Sequence, residues 1–326
     1  MPLTHSTVWW PRHRLFLSLG QHRYDLATRA LVMGILDCTT ASFYDHGSHF
    51  NLDRFFERAE QFVREGADVL DVGGVRAGPG PQVTEEEELD RVVPVIASLR
   101  DRFDVPLSAD TWRASVARAA FEAGAVVGND MSGFADPEYL LVAAAAGASV
   151  VATHVRLSPR VPDPAPHYDD VVAEVERFLL MRAERALLSG IPADHIILDA
   201  GLDLGKTADQ SLLLLQSSAR LASLGYPLLL SSSDKTFLGV LPELGVGERR
   251  NTSLAAAAAG IAGGCRLIRV HDVVGICTVR DLLAAILESA PQHGIGPEEA
   301  AVDRAGVDRA GPEQANEAAL GSGMLR

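Results

Sequence analysis

The chain is poor in cysteine. Three occur in 326 residues, Cys38, Cys265 and Cys277, with neither metal-ligand spacing nor the pattern of a disulfide framework. That scarcity suits a reducing cytoplasm, which is the expected location. No run of about 18 or more apolar residues is present, so no membrane-spanning helix is expected, and the N-terminus lacks the apolar stretch of a signal peptide. Positive charge is also short: 29 Lys and Arg stand against 43 Asp and Glu, a net charge of −14. This balance argues against nucleic acid and an anionic membrane as partners, and still allows a local basic pocket.

What is present is apolar residues in quantity, 47% of the chain, enough for one large core. Short, nearly continuous apolar runs recur at 31–37, 68–74, 105–111, 126–130, 149–155, 195–201, 227–233 and 266–272. Such runs are expected of strands buried on both faces. Helical patterns follow them at 52–66, 85–102, 113–124, 137–147, 169–190, 207–224, 249–263 and 274–289. Thr84 and Glu87 have capping-box spacing, and Asp136-Pro137 reads as a cap with a first-turn proline. Strict strand–helix alternation over eight units predicts an α/β fold, a (β/α)8 TIM barrel. A doubly wound open sheet is the alternative. The barrel is expected over residues 18–290, with a short hairpin within 18–29 and an N-terminal arm at 1–17. Residues 291–326 carry Val-Asp-Arg-Ala-Gly twice and few apolar anchors, and are expected to be a disordered tail.

In such a barrel the C-terminal strand ends surround one pocket. Here those ends carry Asp37, Asp71, Asp110, Asn129, His154, Asp199, Ser233, Lys235, Arg269 and His271. Taken singly, each suits an interstrand hydrogen bond. Taken together, so many carboxylates in one mouth call for a polar ligand, a metal or both. Asp110, Asn129 and Asp199 offer acceptors and an amide that match a flat heterocycle with several N–H groups. Lys235 would reach a ring carbonyl or nitrogen. Arg269 and His271, two apart on one strand, face the same way and suit phosphate oxygens. Asp37 could hold Mg²⁺, which favours one or two carboxylates plus substrate phosphates. Lys206, in a glycine-containing loop without phosphate-loop spacing, reads as structural. His46 and His49 read as solvated, and Cys38 lacks a neighbouring base in the sequence.

Four motifs in order resemble dihydropteroate synthase, a pterin-binding barrel of folate synthesis, over residues 18 to 289. These are Ser108-Ala109-Asp110-Thr111, Asn129-Asp130, Asp199-Ala200-Gly201 with Gly205-Lys206, and Arg269-Val270-His271-Asp272. The resemblance implies that Asp110, Asn129, Asp199 and Lys235 hold a pterin and that Arg269 and His271 hold pyrophosphate. It implies catalytic roles for Lys235, Arg269 and His271, Mg²⁺ at Asp37, and an acceptor side at Ser233 and Leu204. It also implies a homodimer. The implied activity is condensation of 6-hydroxymethyl-7,8-dihydropterin pyrophosphate with p-aminobenzoate, releasing pyrophosphate.

The departures from the family pattern cluster on the acceptor side. The first loop has Asp37, Thr40 and Ala41 for the family's Asn, Pro and Asp. The second loop, Val75 to Gly80, lacks the family's Ser, Thr and Arg. Thr153 replaces a Met, Leu204 a Phe and Asp234 an Arg. The alternative expectation is therefore a paralogue that has lost this activity or uses another acceptor.

Overall fold

The structure is a computed structural model that describes residues 15–39, 44–45, 49–50, 52–78, 80–240, 244–245 and 248–289. Thr40, Ala41, His46, Pro79, most of the expected arm and the expected tail lie outside the described residues.

The chain opens with β1 (Phe16–Leu19) and β2 (His22–Asp25), an antiparallel hairpin, so its first strand begins inside the stretch expected to be an arm. Then come β3 (Leu31–Asp37), the short pair β4 (Tyr44–Asp45) and β5 (His49–Phe50), α1 (Leu52–Arg64), β6 (Val69–Gly73) and α2 (Glu85–Arg100). Next are β7 (Leu107–Asp110), α3 (Ala114–Ala123), β8 (Val127–Asp130), α4 (Tyr139–Ala146), β9 (Ser149–Thr153) and α5 (Val171–Leu188). The chain continues with β10 (Ile196–Asp199), α6 (Ala208–Gln216), α7 (Ser218–Ala222), β11 (Leu228–Ser231) and α8 (Phe237–Val240). It ends with α9 (Arg250–Ala262), β12 (Cys265–Val270) and α10 (Val273–Ser289). Eight parallel strands close in the order β3-β6-β7-β8-β9-β10-β11-β12, so the sheet is a barrel and the open-sheet alternative is excluded.

Alternation along each strand sorts the side chains. Val32, Leu36, Leu70, Val72, Ile268 and Val270 point outward and pack under the helices in the larger core. Met33, Val69, Val127, Val151, Ile197, Leu229 and Leu267 fill the barrel interior. Leu17, Leu19 and Leu26 of the hairpin join that inner cluster, so the hairpin plugs the N-terminal end of the barrel. Full burial of each such leucine stabilises by roughly 1.5–3 kcal/mol relative to exposure. The plug is also bonded: Ser149 Oγ–H donates to Ser18 O at 2.5 Å, and Ser18 Oγ–H donates to Asp194 at 2.9 Å. With its floor apolar and closed, the barrel leaves its polar interior positions at the opposite, C-terminal end.

Two helix expectations are corrected. The stretch 207–224 is two helices that meet at Ser217. There the Ser218 hydroxyl takes the Leu215 carbonyl at 2.6 Å, a local bond that competes with the helix ladder. The helix expected at 137 begins at Tyr139. Asp136 instead accepts from Glu138 N–H, closing a turn, and from Ala114 N–H at 2.9 Å, capping α3 from across the chain. The Thr84–Glu87 capping box is present at the start of α2.

Candidate active site

The period of two that places leucines inside also places charges there, one layer up. Asp71, Asp110, Asn129, Asp199 and Arg269 occupy the upper interior positions of β6, β7, β8, β10 and β12, and the first four are buried. Register sets the neighbours: Asp71 pairs with Ser108, and Asp110 with Asn129.

Arg269 crosses the mouth. Its Nε–H donates to Asp71 at 2.6 Å and its outer nitrogen donates to Asp110 at 2.6 Å. Burial disfavours its charge, but the two carboxylates outweigh that and raise its pKa further. Two of the nitrogens of Arg269, the residue expected to suit phosphate oxygens, are thus engaged by the barrel's own acids. Burial pushes Asp110 well above the usual carboxylate range, with Arg269 pulling it back. Its Oδ2 accepts from Arg269, while its Oδ1 is buried and has no hydrogen-bond partner among the described residues. Asn129 donates its amide N–H to Asp71 at 3.2 Å.

Asp199 accepts from Gly201 N–H at 2.8 Å; burial raises its pKa, against the pull of that N–H and of Lys235. Gly201 has φ +63°, and a Cβ there would lie 1.9 Å from His154 O, so only glycine lets this turn pass. Lys235 is half-buried, and its ammonium makes no hydrogen bond with any described residue. Burial lowers its pKa, while Asp203 and Asp199 oppose that shift.

His271 and Ser233 are brought together, with Oγ 3.0 Å from Nδ1. The same Nδ1 lies 3.3 Å from the Asp234 carboxylate. Burial and Arg269 lower the pKa of His271. Arg58 of α1 donates to the His271 carbonyl at 3.0 Å. These groups line a cavity of about 330 Å³ that includes Arg58, Ser233, Asp234, Arg250 and His271. Leu204 lines a second cavity of about 290 Å³, with Met131, Arg160, Asp163 and Lys206.

Several contacts around the mouth escaped sequence reasoning. Lys206 is a hub: its ammonium lies 3.0 Å from His154 Nδ1 and donates to Gly201 O at 2.8 Å and Leu204 O at 3.0 Å. Burial lowers its pKa to about 7, and burial with Lys206 beside it lowers His154 to about 3. Asp203 accepts from both the N–H and the hydroxyl of Thr236, at 2.6 and 2.7 Å. Arg160 donates to Arg76 O at 3.2 Å and Pro81 O at 2.5 Å, fastening the second loop to the fifth. One signal was available for the lysines: the whole chain has only Lys206 and Lys235.

Asp37 ends β3 half-buried, and its carboxylate makes no hydrogen bond with a described residue. Among the described residues no group of three His, Cys, Asp or Glu side chains is arranged to hold a metal. A lone carboxylate fits Mg²⁺ only where phosphate oxygens and water complete the octahedron. No described helix is long and apolar enough to cross a membrane.

The closed (β/α)8 barrel thus brings carboxylates, an amide and a lysine to one mouth. Residues 33–271 match the family described as "Pterin binding enzyme", and the chain belongs to that family, among the dihydropteroate synthase homologues. It is 39% identical over 273 residues to a dihydropteroate synthase of Synechocystis, covering 82% of this chain and 94% of that one. It is 41% identical over 271 residues to a Mycobacterium leprae protein named "Inactive dihydropteroate synthase 2", covering 81% and 93%. The Yersinia pestis dihydropteroate synthase, solved with a sulfonamide drug complex, superposes with a TM-score of 0.79 at 36% identity, covering 84% and 99%.

Proposed function

We propose that this barrel binds a reduced pterin carrying a diphosphate, and that it does not condense that pterin with p-aminobenzoate as the synthases do. The observation that carries the pterin half is Asp110 Oδ1, a buried acceptor without a donor among the described residues. Leaving such an atom unmet costs about 1–3 kcal/mol, and a ring N–H would remove the cost. Asp110, Asn129 and Asp199 would read the ring edge, and Lys235, uncommitted, would donate to a ring carbonyl or nitrogen. Arg269 and His271 would meet the diphosphate. Asp37 would share a Mg²⁺ with diphosphate oxygens and water; when bound, that ion would neutralise charge on the leaving group.

The second half of the reading rests on the rim. Asp234 stands where the family has an arginine, and its carboxylate lies against His271. A charge reversal at that place repels a carboxylate acceptor. The Asp203 carboxylate also engages the Thr236 N–H and hydroxyl, two donors near this rim.

A working synthase is the second reading. It is favoured by Arg269 and His271, which a leaving pyrophosphate needs, and by the synthases among the relatives. In that case the methylene C–O bond breaks, pyrophosphate leaves onto Arg269 and His271, and the arylamine nitrogen forms the new C–N bond and loses its proton. The deciding experiment has two parts. Dihydropterin is titrated into the protein, and pyrophosphate release from dihydropterin pyrophosphate with Mg²⁺ is followed with and without p-aminobenzoate. Binding without p-aminobenzoate-dependent release is expected. Release that depends on p-aminobenzoate establishes the synthase, and absence of dihydropterin binding overturns the proposal.

A further inference from the structure

Asp71 sits within β6 at 0% exposure, so no ligand reaches it. A charge so placed is retained only where its neighbours satisfy it. Three donors converge on this carboxylate. The Ser108 hydroxyl donates to Oδ1 at 2.5 Å, the Asn129 amide N–H to Oδ2 at 3.2 Å, and Arg269 Nε–H to Oδ2 at 2.6 Å. An ionised carboxylate accepts only, so aspartate suits a place where every neighbour donates. Two of those donors belong to the candidate ligand site, one on the ring side and one on the anion side.

Two consequences follow from the geometry. With its N–H₂ end on Asp71, the Asn129 amide is left to present its oxygen as an acceptor. With Nε on Asp71 and its outer nitrogen on Asp110, Arg269 is held across the barrel, and an incoming anion must compete with two carboxylates for it. Resting on the pterin reading above, we propose that Asp71 is a positioning residue: it fixes the Asn129 amide for the ring and restrains Arg269 from anions. The enclosed acid therefore acts with opposite sign on the two halves of the ligand, favouring the ring and opposing the diphosphate.

Two substitutions separate these roles. Asp71→Asn removes the charge and keeps the shape, because the Ser108 hydroxyl can turn to accept from the new amide. Asp71→Ala removes the acceptor altogether. The full chain is titrated calorimetrically with 6-hydroxymethyl-7,8-dihydropterin and, separately, with inorganic pyrophosphate and Mg²⁺; circular dichroism verifies folding. Asp71→Asn is expected to bind pyrophosphate at least threefold more tightly and the pterin within threefold of the native protein. Asp71→Ala is expected to tighten pyrophosphate likewise and to weaken the pterin at least tenfold. A general loss of structure would weaken both ligands together. Pyrophosphate affinity unchanged in Asp71→Asn overturns the restraint on Arg269, and pterin affinity unchanged in Asp71→Ala overturns the positioning of Asn129. Should Asp71→Ala not fold, Asp71→Leu, which also lacks the acceptor but fills the space, takes its place in the pterin titration, and Asp71→Asn still decides the restraint on Arg269. A native protein that binds no pterin overturns the proposed function instead, and the pyrophosphate titration still tests the restraint.

Discussion

The Asp234 carboxylate lies 3.3 Å from Nδ1 of His271, on the ring nitrogen that also meets Ser233. Neither partner is deeply buried, so the pair is weak and screened. Its effect is on the sign of the field at the rim. Asp234→Asn removes one negative charge beside the anion subsite and is expected to tighten Mg²⁺-pyrophosphate binding about two- to fivefold, read by calorimetry, with the steepest gain at low salt.

Arg269→Ala should act twice. It removes the anion anchor, so pyrophosphate affinity is expected to fall at least tenfold. It also strands Asp71 and Asp110 without their cation, and breaking one side of a buried ion pair costs about 3–5 kcal/mol. Urea unfolding should report that loss, and unchanged stability would contradict the clamp.

Asp199→Asn and Lys235→Ala are expected to weaken dihydropterin binding at least tenfold, with pyrophosphate binding within twofold of the native protein. Equal losses for both ligands would contradict the division of the mouth into a ring side and an anion side.

His154 is expected to make the protein's stability sensitive to acid. Its folded pKa is lowered to about 3 by burial and the Lys206 ammonium. The unfolded imidazole takes a proton near pH 6.5, so between about pH 6.5 and 3 the unfolded chain binds more protons and stability falls with pH. From pH 7 to 5 the loss is about 2 kcal/mol. Asp130, raised to about 6 by burial, works in the opposite direction over part of this range. The informative quantity is therefore the difference between native protein and His154→Asn. The variant keeps an acceptor for Lys206, and its stability should fall less between pH 7 and 5. Parallel profiles would remove His154 as the cause.

Arg160→Ala unfastens the second loop. The contacts are exposed, so the midpoint of thermal unfolding should hardly move. Tryptic cleavage after Arg76 should speed up at least threefold. An unchanged cleavage rate would show that the loop is held by something else.

The eight strand–helix units and the polar strand ends were legible in the chain because they follow from local periods of two and 3.6. Asp110, Asn129, Asp199, Lys235 and His271 were picked out as candidates this way, since a polar residue at the end of a buried run is visible without knowing its neighbours. Helix starts were less legible. Asp136 has the composition of a cap, yet it serves Ala114, 22 residues away, and no local rule reveals that.

The sequence by itself determined the alternation, and with it which residues would face one mouth. Only closure of the barrel decided what they do to one another. Arg269 and Asp71 are 198 positions apart, and Asp203 and Thr236 are 33 apart. Each contact exists because parallel register brings strand ends to one level and a rim to one circle. A strand's pattern specifies the side on which a charge emerges. The identity of the opposite charge, and hence whether an arginine is free for phosphate or spent on two acids, is a property of the closed ring.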